Sequence, residues 1–70
     1  MTEDRIATLL ARITTNPEIF GGKPIIRGKR IAVEHVLADL AAGQRPETIL
    51  TNFPFLEPDD VQACLLFAAN

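Results

Sequence analysis

Few side chains in this sequence could do chemistry, and their spacing argues against catalysis. The one histidine, His35, lies two positions from Val33 and so off the apolar stripe of its helix, where an imidazole is a solvated surface group. Asp59 and Asp60 are adjacent, which puts them on different sides of a helix. They read as complements to the positive end of its dipole and not as metal ligands. Cys64, the one cysteine, falls on an apolar face and is expected to be buried and inert. Gly21-Gly22-Lys23 lacks the spacing of a phosphate-binding loop, and no helix begins after it. No nucleophile, base and orienting group come together, so the sequence reads as a non-enzyme with no cofactor and no metal site.

The remaining chemistry is charge. Asn16 to Ile31 holds Pro17, Pro24, three of the four glycines and four of the seven basic residues, Lys23, Arg27, Lys29 and Arg30. No helix fits there. Gly21-Gly22 ahead of Lys23-Pro24 predicts a turn into an extended segment. Ile25-Ile26, the reversal Arg27-Gly28-Lys29 and then Arg30-Ile31 predict a tight β-hairpin, apolar on one face and cationic on the other. The basic residues either solvate an edge hairpin and discourage edge-to-edge pairing, or form a contact surface for nucleic acid or an acidic partner.

Length and composition bound the rest. Seventy residues make a single domain. A chain of 7.7 kDa buries on the order of 6,800 Å² on folding, about 4,100 Å² of it apolar, or roughly 100 kcal/mol against about 105 kcal/mol of ordering cost. The monomer is expected to be marginal. One cysteine and one histidine supply neither a disulfide nor a structural zinc site, so a partner chain is the remaining source of stability. A lone thiol, with no signal peptide and no long apolar span, points to a reducing cytoplasm and no membrane association. A net charge of -2 and a pI near 5.2 argue against non-specific nucleic-acid binding as the main activity. The basic residues gather in the hairpin while acids dominate the second half, which leaves room for a local basic patch.

Three segments position these groups: residues 1–12 carry an N-terminal helix, 13–31 short strands and the basic hairpin, and 33–69 a three-helix unit. Thr2 can cap a helix over about 3 to 11, and Thr14-Thr15 before Asn16-Pro17 favour a short strand over 12 to 15. Val33, Val36, Leu37, Leu40 and Ala41 form an apolar stripe ended by Gly43. Pro46 opens a short helix that stops before Pro54, and Pro58-Asp59-Asp60 opens a last one running to about Ala69. The positions before these three helices are Ala32, Arg45 and Glu57, none a preferred cap, each expected to give up about 1 kcal/mol. The last helix places Val61, Cys64, Leu65 and Ala68 on one face and leaves Leu66 and Phe67 off it. That helix is therefore expected to meet a partner through Val61, Leu65, Leu66 and Phe67, with the N-terminal helix folding back over it as the alternative cover. The last two helices are spaced like a helix-turn-helix, but the reading position would offer Glu57, Asp59, Asp60 and Gln62 to phosphate, so the hairpin, acting as a wing, is the better candidate for DNA.

The run Asn16-Pro17, Gly21-Gly22-Lys23-Pro24, Ile26, Gly28, Arg30-Ile31, then Val33, Leu37, Leu40, Gly43, Glu47, Ile49-Leu50, Pro54, Leu56, Asp60-Val61 and Ala68-Ala69 resembles the small prokaryotic family known as domain of unknown function 433. The match covers about residues 13 to 69 and leaves the first helix outside it. That family often has Ser or Thr at positions such as 45 and 57, where this chain has Arg and Glu. The resemblance implies a mainly α fold: a small three-helix, homeodomain-like or winged-helix-like domain, here with an N-terminal helix and a short β-hairpin. It also implies an antitoxin-like protein of VapB type that binds and neutralises a PIN-like ribonuclease. The alternative is a DNA-binding transcriptional regulator, able to repress its own promoter, using Lys23, Arg27, Lys29 and Arg30. The near-zero stability balance adds the expectation of a homo-oligomer, most simply a twofold dimer.

Overall fold

In the computed structural model, which describes residues Met1 to Asn70, α1 spans Glu3–Leu10 and begins where the sequence places its cap. The Arg5 N–H donates to Thr2 Oγ1 at 3.1 Å. β1 (Ile13–Thr14) follows and pairs antiparallel with β2 (Ile25–Ile26), Ile13 opposite Ile26 and Thr14 opposite Ile25. A ten-residue connection between them contains a single 3-10 turn at Phe20–Gly22.

The expected reversal after β2 forms. Arg27 and Gly28 take φ of 46° and 69°, and the Lys29 N–H donates to the Ile26 carbonyl at 2.8 Å. Two central residues with positive φ are the signature of a type I′ turn, whose twist matches that of paired strands. The returning arm Arg30-Ile31, however, does not become a strand. It offers one Ile26 N–H to Ile31 carbonyl bond at 3.3 Å and an isolated bridge between Ile25 and Ala32. Ala32 is already the residue that starts α2 (Val33–Ala41), so the chain must turn into a helix before a second arm can lengthen. The partner of β2 is instead β1, which arrives from the other side.

α2 ends in a Schellman motif. Gly43 has φ 91°, its N–H donates to the Leu40 carbonyl at 3.0 Å, and the Gln44 N–H reaches back to the Asp39 carbonyl at 3.0 Å. α3 (Pro46–Asn52) and α4 (Pro58–Ala69) complete the chain. The weak caps read from the sequence are offset by other means. The Val33 N–H donates to the Pro24 carbonyl at 3.0 Å, so the neighbouring strand caps α2. α3 and α4 both begin on a proline, which has no N–H to satisfy.

The core lies between β2 and the three later helices: Ile26, Ile31, Val33, Val36, Ile49, Leu56 and Cys64 are buried together. A second packed layer forms where α1 lies against α4, with Leu9 and Val61 each 1% exposed. Removing a leucine from water to that extent stabilises by about 1.5 to 3 kcal/mol. The N-terminal helix therefore does cover one side of α4. The accessible surface, 4445 Å², is close to the roughly 4,300 Å² expected for a folded monomer of this mass. No helix is long and apolar enough to cross a membrane.

Candidate interaction surfaces

The most heavily engaged side chain is Asp60, which in the sequence looks like a simple dipole complement. Asp60 has no solvent exposure. Arg27 Nε and Nη2 donate to its two oxygens at 3.0 and 2.9 Å, Arg12 Nη1 donates to Oδ1 at 3.0 Å, and the Glu57 N–H donates to Oδ2 at 2.7 Å. Burial by itself would raise the Asp60 pKa; the hydrogen bonds from Arg27, the Glu57 N–H and Arg12 outweigh it and hold the carboxyl below the ordinary carboxylate range. Around this centre Arg12 reaches Glu57 Oε1 at 2.6 Å, and Arg5 grips both oxygens of Asp59 at 2.8 and 3.2 Å. The Arg5 hydrogen bond pulls the Asp59 pKa down as well.

Three arginines thus meet three carboxylates at the start of α4, and the cluster closes on itself. Arg5 comes from α1, Arg12 from just before β1 and Arg27 from the turn after β2, so one helix terminus ties three separate segments together. The sequence held a faint signal for this. None of the three arginines has an acidic residue three or four positions away with which to pair locally, and Glu57 with Asp60 stands at N-cap and N3 spacing, where the N3 side chain reaches back to the N-cap N–H.

This geometry corrects the cationic surface expected of the hairpin. Arg27 turns inward to Asp60, and its Nη2 also donates to the Phe55 carbonyl at 2.7 Å, because a buried carboxylate is a far better partner than solvent. Lys23 Nζ pairs with Glu34 at 2.8 Å. Of the four basic residues only Lys29 and Arg30 are exposed without a partner. The acids expected to repel phosphate at the start of the last helix are, in turn, already neutralised by arginine.

The proposed face of α4 is likewise redrawn. Val61 belongs to the interior, and Cys64 is buried with it, because positions 60, 61, 63 and 64 all fall on the arc that meets α1, α2 and α3. Burial, reinforced by the nearby Asp60 charge, pushes the Cys64 thiol up to about 11. Leu65 and Phe67 remain 44% and 39% exposed, with Leu66 half-buried. At about 100° per residue, Leu65 and Phe67 point roughly 200° apart, so they do not make one patch. Phe67 stands on the packed side, near the end of the helix. There it lines an open groove of about 640 Å³ with Leu10, Ile13, Thr14, Thr15, Pro24 and Asn70, and no charged side chain borders it.

His35 sits edge-on to Phe53, ring centroids 5.3 Å apart at 88°, and its Nε2 lies 3.4 Å from Asp39. No nucleophile is held by it, and no group of three or more His, Cys, Asp or Glu side chains is arranged to hold a metal ion.

Fold and surfaces together define a small, mainly helical domain whose ionic cluster closes the fold and whose one uncharged groove stays open. The chain belongs to the family described as protein of unknown function (DUF433), whose model matches residues 13–68. It is 34% identical over 65 residues to the uncharacterized protein y4eO of Sinorhizobium fredii, a match covering 93% of this chain and 29% of that protein. The chain therefore spans under a third of that relative's length. No solved structure matches it.

Proposed function

We propose that this chain is an antitoxin-like interaction protein that binds and neutralises a PIN-like ribonuclease, and that its own copies associate through the same surface when the nuclease is absent. One observation carries the interaction half: Phe67 is 39% exposed on a groove with no charged side chain in its lining. An uncharged groove holding a large ring that water can reach is a surface suited to burial against another chain. The nuclease half comes from the family resemblance, and with it the reading of α2, α3 and α4 as a homeodomain-like unit; the lone thiol supports a reducing, cytoplasmic setting. The test is co-purification of the protein with a tagged PIN-like nuclease from a neighbouring gene, followed by an RNA-cleavage assay. Wild type should bind and silence the nuclease, and Phe67→Asp should do neither while keeping its helical circular dichroism. A wild-type protein that leaves cleavage unchanged overturns the reading.

A second reading, a DNA-binding regulator with the hairpin as a wing, is supported by Lys29 and Arg30, which are exposed and unpaired. Two phosphate contacts correspond to a slope of about −2 in log affinity against log salt. Arg30→Ala should flatten that slope by about one, while Arg27 should have no such effect beyond its influence on folding. Duplex binding that ignores both salt and Arg30 would remove this reading.

A further inference from the structure

A second groove, of about 810 Å³, opens between the Phe20 turn, the start of α2 and the end of α3, and its rim carries Phe20, Lys23, Arg30, Glu34, His35 and Phe53. Unlike the Phe67 groove it carries charged side chains, which stand with the rings of Phe20 and Phe53 beside the smaller apolar residues Ile31, Ala32 and Ala38. Phe20 is the informative residue. It takes φ 49°, a left-handed conformation that a bulky side chain rarely adopts, although a glycine or asparagine would make the same turn without strain. The strain gains only partial burial, since Phe20 stays 47% exposed. The backbone thus holds a large apolar ring out at the edge of a groove, at a cost to folding, which is the pattern of a residue kept for a ligand.

The other groups on the rim say what the ligand is. Arg30 has no ion-pair partner, and Lys23 and Glu34 form a mutual pair with both side chains more than half exposed, so it can open for a stronger anion at little cost. Phe53 is held by edge contacts to His35 and to Phe55, at 5.3 and 6.1 Å. The outer edge of β2 is not free for an extended peptide, because the Ile31 carbonyl accepts from the Ile26 N–H and Ala32 bridges to Ile25. Flat rings beside the free guanidinium of Arg30 match a chain that alternates π-faces with phosphates. We propose that this groove binds single-stranded nucleic acid, with a base stacked on Phe20 and the adjoining phosphate held by Arg30. Duplex bases, already stacked on one another, could not enter.

The site stands apart from the Phe67 groove and does not rest on the nuclease reading. The test is fluorescence anisotropy of a labelled oligouridine of about ten nucleotides, beside a duplex of the same length, over a salt series. The single strand should bind more tightly than the duplex, with a slope near −0.7 for each phosphate neutralised. Phe20→Asn should keep or raise the thermal midpoint while weakening binding about tenfold or more. Arg30→Ala should remove about 0.7 from the salt slope. The proposal is overturned by an absence of single-strand binding, by Phe20→Asn binding like wild type, by a duplex that binds as tightly, or by an oligoglutamate that displaces the strand as well as unlabelled oligouridine does.

Discussion

Arg27 and Asp60, 33 residues apart in sequence, form the fork that closes this fold: Nε at 3.0 Å and Nη2 at 2.9 Å from the two oxygens of a carboxylate that has no contact with solvent. A buried carboxylate deprived of its cation is costly, about 3 to 5 kcal/mol in comparable pairs. The whole stability expected of a chain this size is roughly 3.5 to 10 kcal/mol. Arg27→Ala should therefore cost about 3 kcal/mol in urea denaturation, the low end applying because Arg12 stays 3.0 Å from the same carboxylate. Arg27→Gly should cost about 1 kcal/mol less than Arg27→Ala, since glycine relieves the strain of φ 46°. A full-stability Arg27→Ala protein would mean that the fork contributes nothing net.

Acid should attack the same cluster. Asp60 and Asp59 both have folded-state pKa values below the ordinary one, so their contribution is complete above the unfolded value, about 3.9. It is then lost as pH falls through the lower folded values. Stability should be level from neutral pH to about 4 and decline below it. Asp60→Asn should flatten that decline while lowering the plateau. The measurement is the urea midpoint from pH 2 to 7 for both proteins, and parallel acid limbs would show that other carboxylates govern the transition.

The start of α4 yields a prediction that differs from the one the sequence suggests. Glu57 looks like a poor cap that threonine would improve by roughly 0.5 to 1 kcal/mol. In the structure its N–H is already bound by Asp60 at 2.7 Å and its carboxylate holds Arg12 at 2.6 Å. Glu57 and Asp60 thus form a reciprocal capping box, so threonine would replace one cap with another and give up a half-exposed ion pair, worth little in water. Glu57→Thr should stay within about 0.5 kcal/mol of wild type, and a gain of about 1 kcal/mol would show that the Arg12 contact adds nothing.

What could be read from the sequence divides by range. The α2 stripe from Val33 to Ala41, the glycine that ends it and the prolines that open α3 and α4 are local signals, governed by a helical period and by backbone chemistry at single positions. All of them appear in the fold. The convergence of Arg5, Arg12 and Arg27 on α4 has no period. It depends on which segments lie side by side, so Arg27 reads as one more cation of the hairpin until the chain is folded. The same limit applies to α4. An apolar band wider than half the helix says that more than one side is covered, but only the placement of α1 tells that Val61 faces inward while Phe67 reaches open space.

The thiol gives a direct probe of that packing. With Cys64 fully buried and its pKa pushed up to about 11, almost no thiolate exists at pH 8. A disulfide reagent such as Ellman's should react at the rate of global opening, not at that of a free thiol. The rate should rise steeply in urea, in step with loss of helical signal. Prompt labelling of the native protein would mean that α4 breathes away from the core.

Self-association is the last and most discriminating test of the proposed surface. The stability terms expected of so short a chain nearly cancel, and no disulfide or metal adds to them, which favours burial of the Phe67 groove against a second copy. Sedimentation velocity at micromolar concentration should show a dimer for wild type. Phe67→Asp should sediment as a monomer, because a carboxylate would then lie in a desolvated contact at a cost of several kcal/mol. Leu65→Asp supplies the control. Leu65 is as exposed as Phe67, at 44% against 39%, yet points about 200° away around α4, so its charge should leave the dimer intact. If both variants dissociate it, the contact spans more of the helix than the groove; if wild type is itself a stable monomer, the groove is free for a different chain and the self-association proposal fails.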